Sequence, residues 1–155
     1  MAAAVTVVFD GPGMRKMVVG GVSRLSSLGV SVRVLSSNPG SGVVDSEKLG
    51  ALQASVGGKV VFVTRRRAVP PNPLLSGFAV NGFADAVGGS VAAVVVGPGS
   101  KGVVGELVVH EALHLLGVRH CGTRGCLMCY HFCGGGLGYC LTCPVMEGRL
   151  VVCGP

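Results

Sequence analysis

The stretch His110-Glu111-Ala112-Leu113-His114-Leu115-Leu116-Gly117-Val118-Arg119-His120 holds the residues of this chain best spaced to do chemistry. On a helix, side chains four apart share a face with Cβ atoms roughly 6 Å apart, so His110 and His114 can grip one metal ion between their imidazoles. Glu111 is too close in sequence to be a third ligand on that face, but it can take a proton from a water on the ion as general base. Gly117 tolerates the left-handed turn that ends a helix, and the chain can then swing back to present His120 from outside. Three histidines leave one position of a tetrahedral zinc open, the catalytic rather than the structural pattern. The plainer reading, three satisfied histidines on a buried helix, fits poorly, because three of the four histidines in the chain fall in this one motif. Zinc held by His110, His114 and His120 with Glu111 beside it would be a site for hydrolysing a peptide bond by a zinc-activated water.

A second cluster follows at once. Of seven cysteines, six (Cys121, Cys126, Cys129, Cys133, Cys140 and Cys143) lie between positions 121 and 143, and the last is Cys153. A disulfide framework would tend to staple distant parts of the chain, whereas a local cluster reads as a metal knuckle. The opening Met1 to Asp10 lacks a basic region and breaks at an acid after a β-like run, so it reads as a first strand and not as a signal peptide. That points to reduced thiols and a cytoplasmic location.

From His110 to Cys143 the pattern resembles the archaemetzincins, a branch of the metzincin clan of zinc peptidases. The third histidine runs into Cys121, a four-residue gap leads to Cys126, then x-Met gives Met128, and a CxxC follows at Cys140 and Cys143. The resemblance implies a structural zinc held by Cys121, Cys126, Cys140 and Cys143, hence two zinc ions per chain. It implies that Met128 forms the tight turn beneath the catalytic metal, as a hydrophobic base for the imidazoles and not a ligand. Tyr130 stands where some metzincins carry a tyrosine that touches the metal or the oxyanion. The interval from Met128 to Cys140 is shorter than the family's, and Cys129, Cys133 and Cys153 are additional thiols, so other ligand sets remain open.

The elements that must position these residues are short. Val5 to Phe9, Val30 to Leu35 and Lys59 to Thr64 are Val-rich runs bounded by Gly or Ser, the composition of strands buried in an α/β sheet. Between them, Met14 to Leu28 carries Met14, Met17, Val18, Val22 and Leu25 at helical spacing, and Ser46 to Val56 carries Leu49, Leu52 and Val56 behind a plausible Asp45 cap. After an Arg65-Arg66-Arg67 run and a proline-rich loop, Phe78 to Ala86 alternates loosely, Gly88-Gly89 makes a turn and Val91 to Val96 is the next strong strand. By resemblance, that last strand is the antiparallel edge above the cleft, where an extended substrate adds as a further strand. Ser100 is expected to cap the active-site helix, over 101–117.

Length and composition bound the rest. A chain of 155 residues, 49% apolar, makes one domain with a real core: an N-terminal α/β part over 1–117 and a Cys-rich part over 118–155. Its apolar runs fall far below the ~20 residues of a membrane span. The net charge of +6 raises nucleic acid as a partner, but only Arg65 to Arg67 form a run, aromatics are 5%, and tryptophan is absent. A solvated loop is the simpler account of those arginines. The expectation is therefore a small, single-domain, metzincin-like α/β fold: a mixed, twisted sheet with an antiparallel edge strand, an active-site helix and a Cys-rich, zinc-binding C-terminal segment. Its function would be that of a monomeric zinc metallopeptidase acting on peptide or protein, with no membrane or nucleic-acid partner. The alternative is a catalytically weak, zinc-stabilised protein that binds peptide or nucleic acid.

Overall fold

The computed structural model of the protein describes residues 3–37, 40–71, 81–98, 100, 102–129, 139 and 143. Parallel strands β1 (Ala4–Phe9), β2 (Ser31–Ser36) and β3 (Val60–Thr64) alternate with helices α1 (Arg15–Ser27) and α2 (Ser46–Val56). A hairpin of β4 (Gly82–Ala84) and β5 (Val91–Val95) then leads into α3 (Val104–Leu115). The sheet order is β2-β1-β3-β5-β4, with β4 alone antiparallel, so this is a mixed sheet with an antiparallel edge. Among the described residues no helix is long and apolar enough to cross a membrane.

Strand side chains alternate between two apolar layers, as a period of two requires. Val5, Val7, Val61, Val63, Ala92 and Val94 face the core shared with α1 and α3, while Val8, Val60, Phe62 and Ala93 face the one under α2. Burial on both faces explains why β3 and β5 read as unbroken apolar runs. The carboxylate of Asp45 accepts the Lys48 N–H at 2.9 Å and caps α2. Helix α1 crosses α3 closely: a Cβ on Gly21 would stand 2.5 Å from the Gly105 carbonyl oxygen, so only glycine lets the helices meet at this distance.

Four expectations are corrected. Val91–Val95 is not the sheet edge, because it pairs with β3 on one side and β4 on the other, and the edge is the three-residue strand Gly82–Ala84. The active-site helix spans Val104–Leu115 and not 101–117, and Val103 precedes it without a side-chain cap. Ser100 is buried in the turn before it, where its hydroxyl donates to the Val95 carbonyl and accepts the Gly97 N–H. Arg66, finally, is no solvated handle: its Nε donates to Asp10 Oδ2 at 3.1 Å, and the Thr64 hydroxyl bonds the same carboxylate.

Candidate metal centre and active site

Helix α3 is apolar nearly all round, so it buries His110, Glu111 and His114 together with Leu107, Val108, Ala112 and Leu113. Gly117, at φ 95°, ends it in the left-handed region, and the chain returns with His120 exposed at the rim. A compact turn follows. Cys121 N–H donates to the Met128 carbonyl, Cys126 N–H to Thr123 and Cys129 N–H to Cys126, which closes residues 121–129 on themselves. That closure brings the Leu127 carbonyl to 2.7 Å from His110 Nδ1, while the Val118 carbonyl lies 2.8 Å from His114 Nδ1.

These two contacts fix the tautomers. A carbonyl can only accept, so both Nδ1 atoms carry the proton, and both Nε2 atoms of the neutral rings are bare lone pairs. Yet His114 Nε2 lies 3.1 Å from His110 Nε2 and 3.0 Å from His120 Nε2. Two bare acceptors cannot hydrogen-bond each other, but a cation between them satisfies both. Nitrogens about 2.0–2.1 Å from one tetrahedral zinc lie about 3.4 Å apart, close to the spacing found. Burial lowers the affinity of His110 for a proton, and it takes His114 down to about 4, helped by the repulsion that two protonated imidazoles would feel at this distance. Protons therefore compete poorly for these lone pairs near neutrality.

Glu111 is 4% exposed, and burial pushes its carboxyl up to about 8. Its Oε2 is buried without a hydrogen-bond partner among the described residues. Such an orphan costs stability unless something absent from the chain completes it, and a water between metal and carboxylate is the fitting candidate.

The sulfurs form a second group. The Sγ atoms of Cys121, Cys126 and Cys143 all lie within 4.8 Å of one another, with Cys126 and Cys143 at 3.1 Å. Tyr139 borders them: Arg24 of α1 sits 5.3 Å over its ring, and the Cys126 and Cys143 thiols act electrostatically on its phenol. The described residues thus offer two candidate metal sites, a histidine triad and a cysteine triad.

No family model matches the chain, and no curated protein matches it in sequence. Solved structures do match. The archaemetzincin of Archaeoglobus fulgidus, crystallised with malonate, superposes with a TM-score of 0.58 at 20% identity, over 81% of this chain and 85% of that one. A zinc-dependent peptidase from Methanocorpusculum labreanum gives 0.58 at 19% identity, over 81% and 87%. This chain has the archaemetzincin fold.

The archaemetzincin fold brings His110, His114 and His120 to one point and gathers Cys121, Cys126 and Cys143 at another. Met128 is fully buried in the core that carries α3, next to Leu127, whose carbonyl orients His110. Cys129 pairs through its backbone with Cys121 and is not among the gathered sulfurs. Tyr130, Cys133, Cys140 and Cys153 lie outside the described residues. Sequence reasoning missed the orienting carbonyls of Val118 and Leu127 because a backbone group leaves no mark on residue type. It also missed Arg24 and Tyr139, which meet only across the fold.

Proposed function

We propose that the chain is a zinc-dependent metallopeptidase in which His110, His114 and His120 hold the catalytic zinc and Glu111 is the general base. The observation that carries this reading is the pair of bare Nε2 lone pairs on His110 and His114 turned toward each other, with the buried, unpartnered Glu111 Oε2 next on the same helix. Sharing its fold with a zinc-dependent peptidase supports it. Zinc, when bound, supplies a lowered pKa for an attacking water and polarises the peptide carbonyl. Leu127 and Val118 keep the imidazoles aimed, which fixes the geometry before substrate arrives. Glu111 Oε2 takes the proton of the water that attacks the carbonyl carbon, then passes it to the departing amine nitrogen. Burial raises the proton affinity of Glu111 and a nearby cation lowers it, so the two effects together keep the group able to accept and release.

Cys121, Cys126 and Cys143, with Cys140 as fourth ligand, would hold a structural zinc that ties the C-terminal segment to the active-site region. Met128 would support the imidazoles from the core, and Tyr130 would reach the oxyanion. The substrate is an extended peptide or protein segment, and the outer edge of β4, which has no partner strand among the described residues, offers backbone groups to it. Removing zinc with a chelator should abolish cleavage of a quenched-fluorescent peptide library, and adding zinc back should restore it. Cleavage that persists in metal-free protein, or its absence in protein loaded at the histidine site, contradicts the proposal.

A further inference from the structure

Gly82 opens β4, the edge strand that packs against α3. Its φ is not among the positive ones, so the backbone there does not demand glycine. Glycine nevertheless weakens a strand, and it often marks a place where another group comes close. A Cβ on Gly82 would stand 2.9 Å from Glu111 Oε1, 3.3 Å from Glu111 Cγ and 3.1 Å from the Ala93 carbonyl oxygen. Carbon needs roughly 3.5 Å to such neighbours, so a methyl group cannot enter unless one of them moves.

The strand has little freedom to be the one that moves. Val95 N–H donates to the Asn81 carbonyl at 2.8 Å and Asp85 N–H to the Val91 carbonyl at 2.9 Å, which bolts β4 to β5 at both ends. The Asp85 carboxylate accepts N–H bonds from Ala86, Ser90 and Val91, and the Lys59 ammonium donates to the Gly88 and Gly89 carbonyls. Gly88 N–H donates to the His114 carbonyl at 2.7 Å, so the hairpin is tied to the histidine helix as well. What remains free to turn is the carboxyl end of Glu111.

We propose that Gly82 is a positioning residue for Glu111: the bare Cα of the edge strand is the wall against which the carboxyl is set, and any side chain at position 82 displaces it from the reacting water. The inference rests on Glu111 being the general base. A carboxyl displaced by about 1 Å costs on the order of a hundredfold in rate while leaving the fold intact.

The test is a double-mutant cycle in the zinc-loaded full chain. Gly82→Ala should lower kcat about a hundredfold with KM nearly unchanged and both metals retained. Glu111→Asp withdraws the carboxyl by one methylene, so adding Gly82→Ala to that background should cost only a few-fold more. An equal loss in both backgrounds overturns the proposal. If Gly82→Ala alone does not fold, folding restored in the double variant supports the contact, and failure of both assigns the clash to the Ala93 carbonyl and overturns it. A second readout needs neither metal nor activity. The infrared difference between metal-free wild type and Glu111→Gln isolates the Glu111 carboxyl band, which Gly82→Ala should shift. An unmoved band overturns the inference even if the protein cleaves peptides, whereas a shifted band in a protein that cleaves nothing keeps the contact and rejects the peptidase reading.

Discussion

His110 and His114 are carried by one buried helix, and two backbone carbonyls set their rings so that the lone pairs meet. Cys121 and Cys126 come from the turn after that helix and Cys143 from far along the chain, and among the described residues no helix or strand carries any of the three. The scaffold alone sets the first site, which an ion would only have to occupy. The second gathers sulfurs from positions far apart in the chain, so much of what an ion would gain by binding there would be spent in ordering the chain, and binding energy would become folding energy. Coordination follows the same division. Three nitrogens leave a position for chemistry, whereas four sulfurs, if Cys140 completes the triad, would leave none.

The largest expected effects set the two sites against each other. His114→Ala should bring peptide turnover down to that of metal-free protein while barely moving the unfolding midpoint. Cys126→Ser should do the reverse to stability, lowering the midpoint by roughly 10 °C or more as the second ion is lost. Thermal scans of both variants beside their zinc contents check this, and equal midpoints would erase the distinction between the sites.

A smaller effect concerns pH in the metal-free protein. Glu111, raised from 4.5 to about 8, contributes stability that is fully present below pH 4.5 and lost as pH rises through 8. His114, lowered from 6.5 to about 4, acts the opposite way, since its neutral folded form loses stability only as pH falls below 6.5. Between pH 6.5 and 8 the Glu111 slope stands without opposition from His114 and amounts to about 2 kcal/mol. Urea unfolding at both pH values should show wild type losing about that much more than Glu111→Gln. Loaded zinc should remove the difference, because it favours the ionised carboxylate. The smallest effect is a control remote from both sites: Asp45→Ala removes the α2 cap, costing about 1 kcal/mol with both metals retained.

The histidine site was readable because its ligands fall within eleven consecutive residues and the helix period turns spacing into geometry. The βαβαβ half was readable because β1 and β3 are valine runs bounded by turn residues, the signature of strands buried on both faces. Val91–Val95 carries the same signature and lies inside the sheet, whereas the antiparallel edge, Gly82–Ala84, is too short to leave a periodic signal. Ser100 misled for a different reason. Serine before a helix is a good cap in general, but here burial turned its hydroxyl to the β5 carbonyl of Val95. The Gly82 contact with Glu111 joins elements far apart in sequence, and only the sheet topology brings them together.

The most direct test of the account is peptide turnover by Glu111→Ala compared with wild type at equal zinc content. General-base catalysis contributes about 10²–10⁴-fold, so the variant should keep its histidine-site zinc and lose turnover by a factor in that range. Turnover at the wild-type rate in a variant that retains its zinc would contradict the assignment of Glu111.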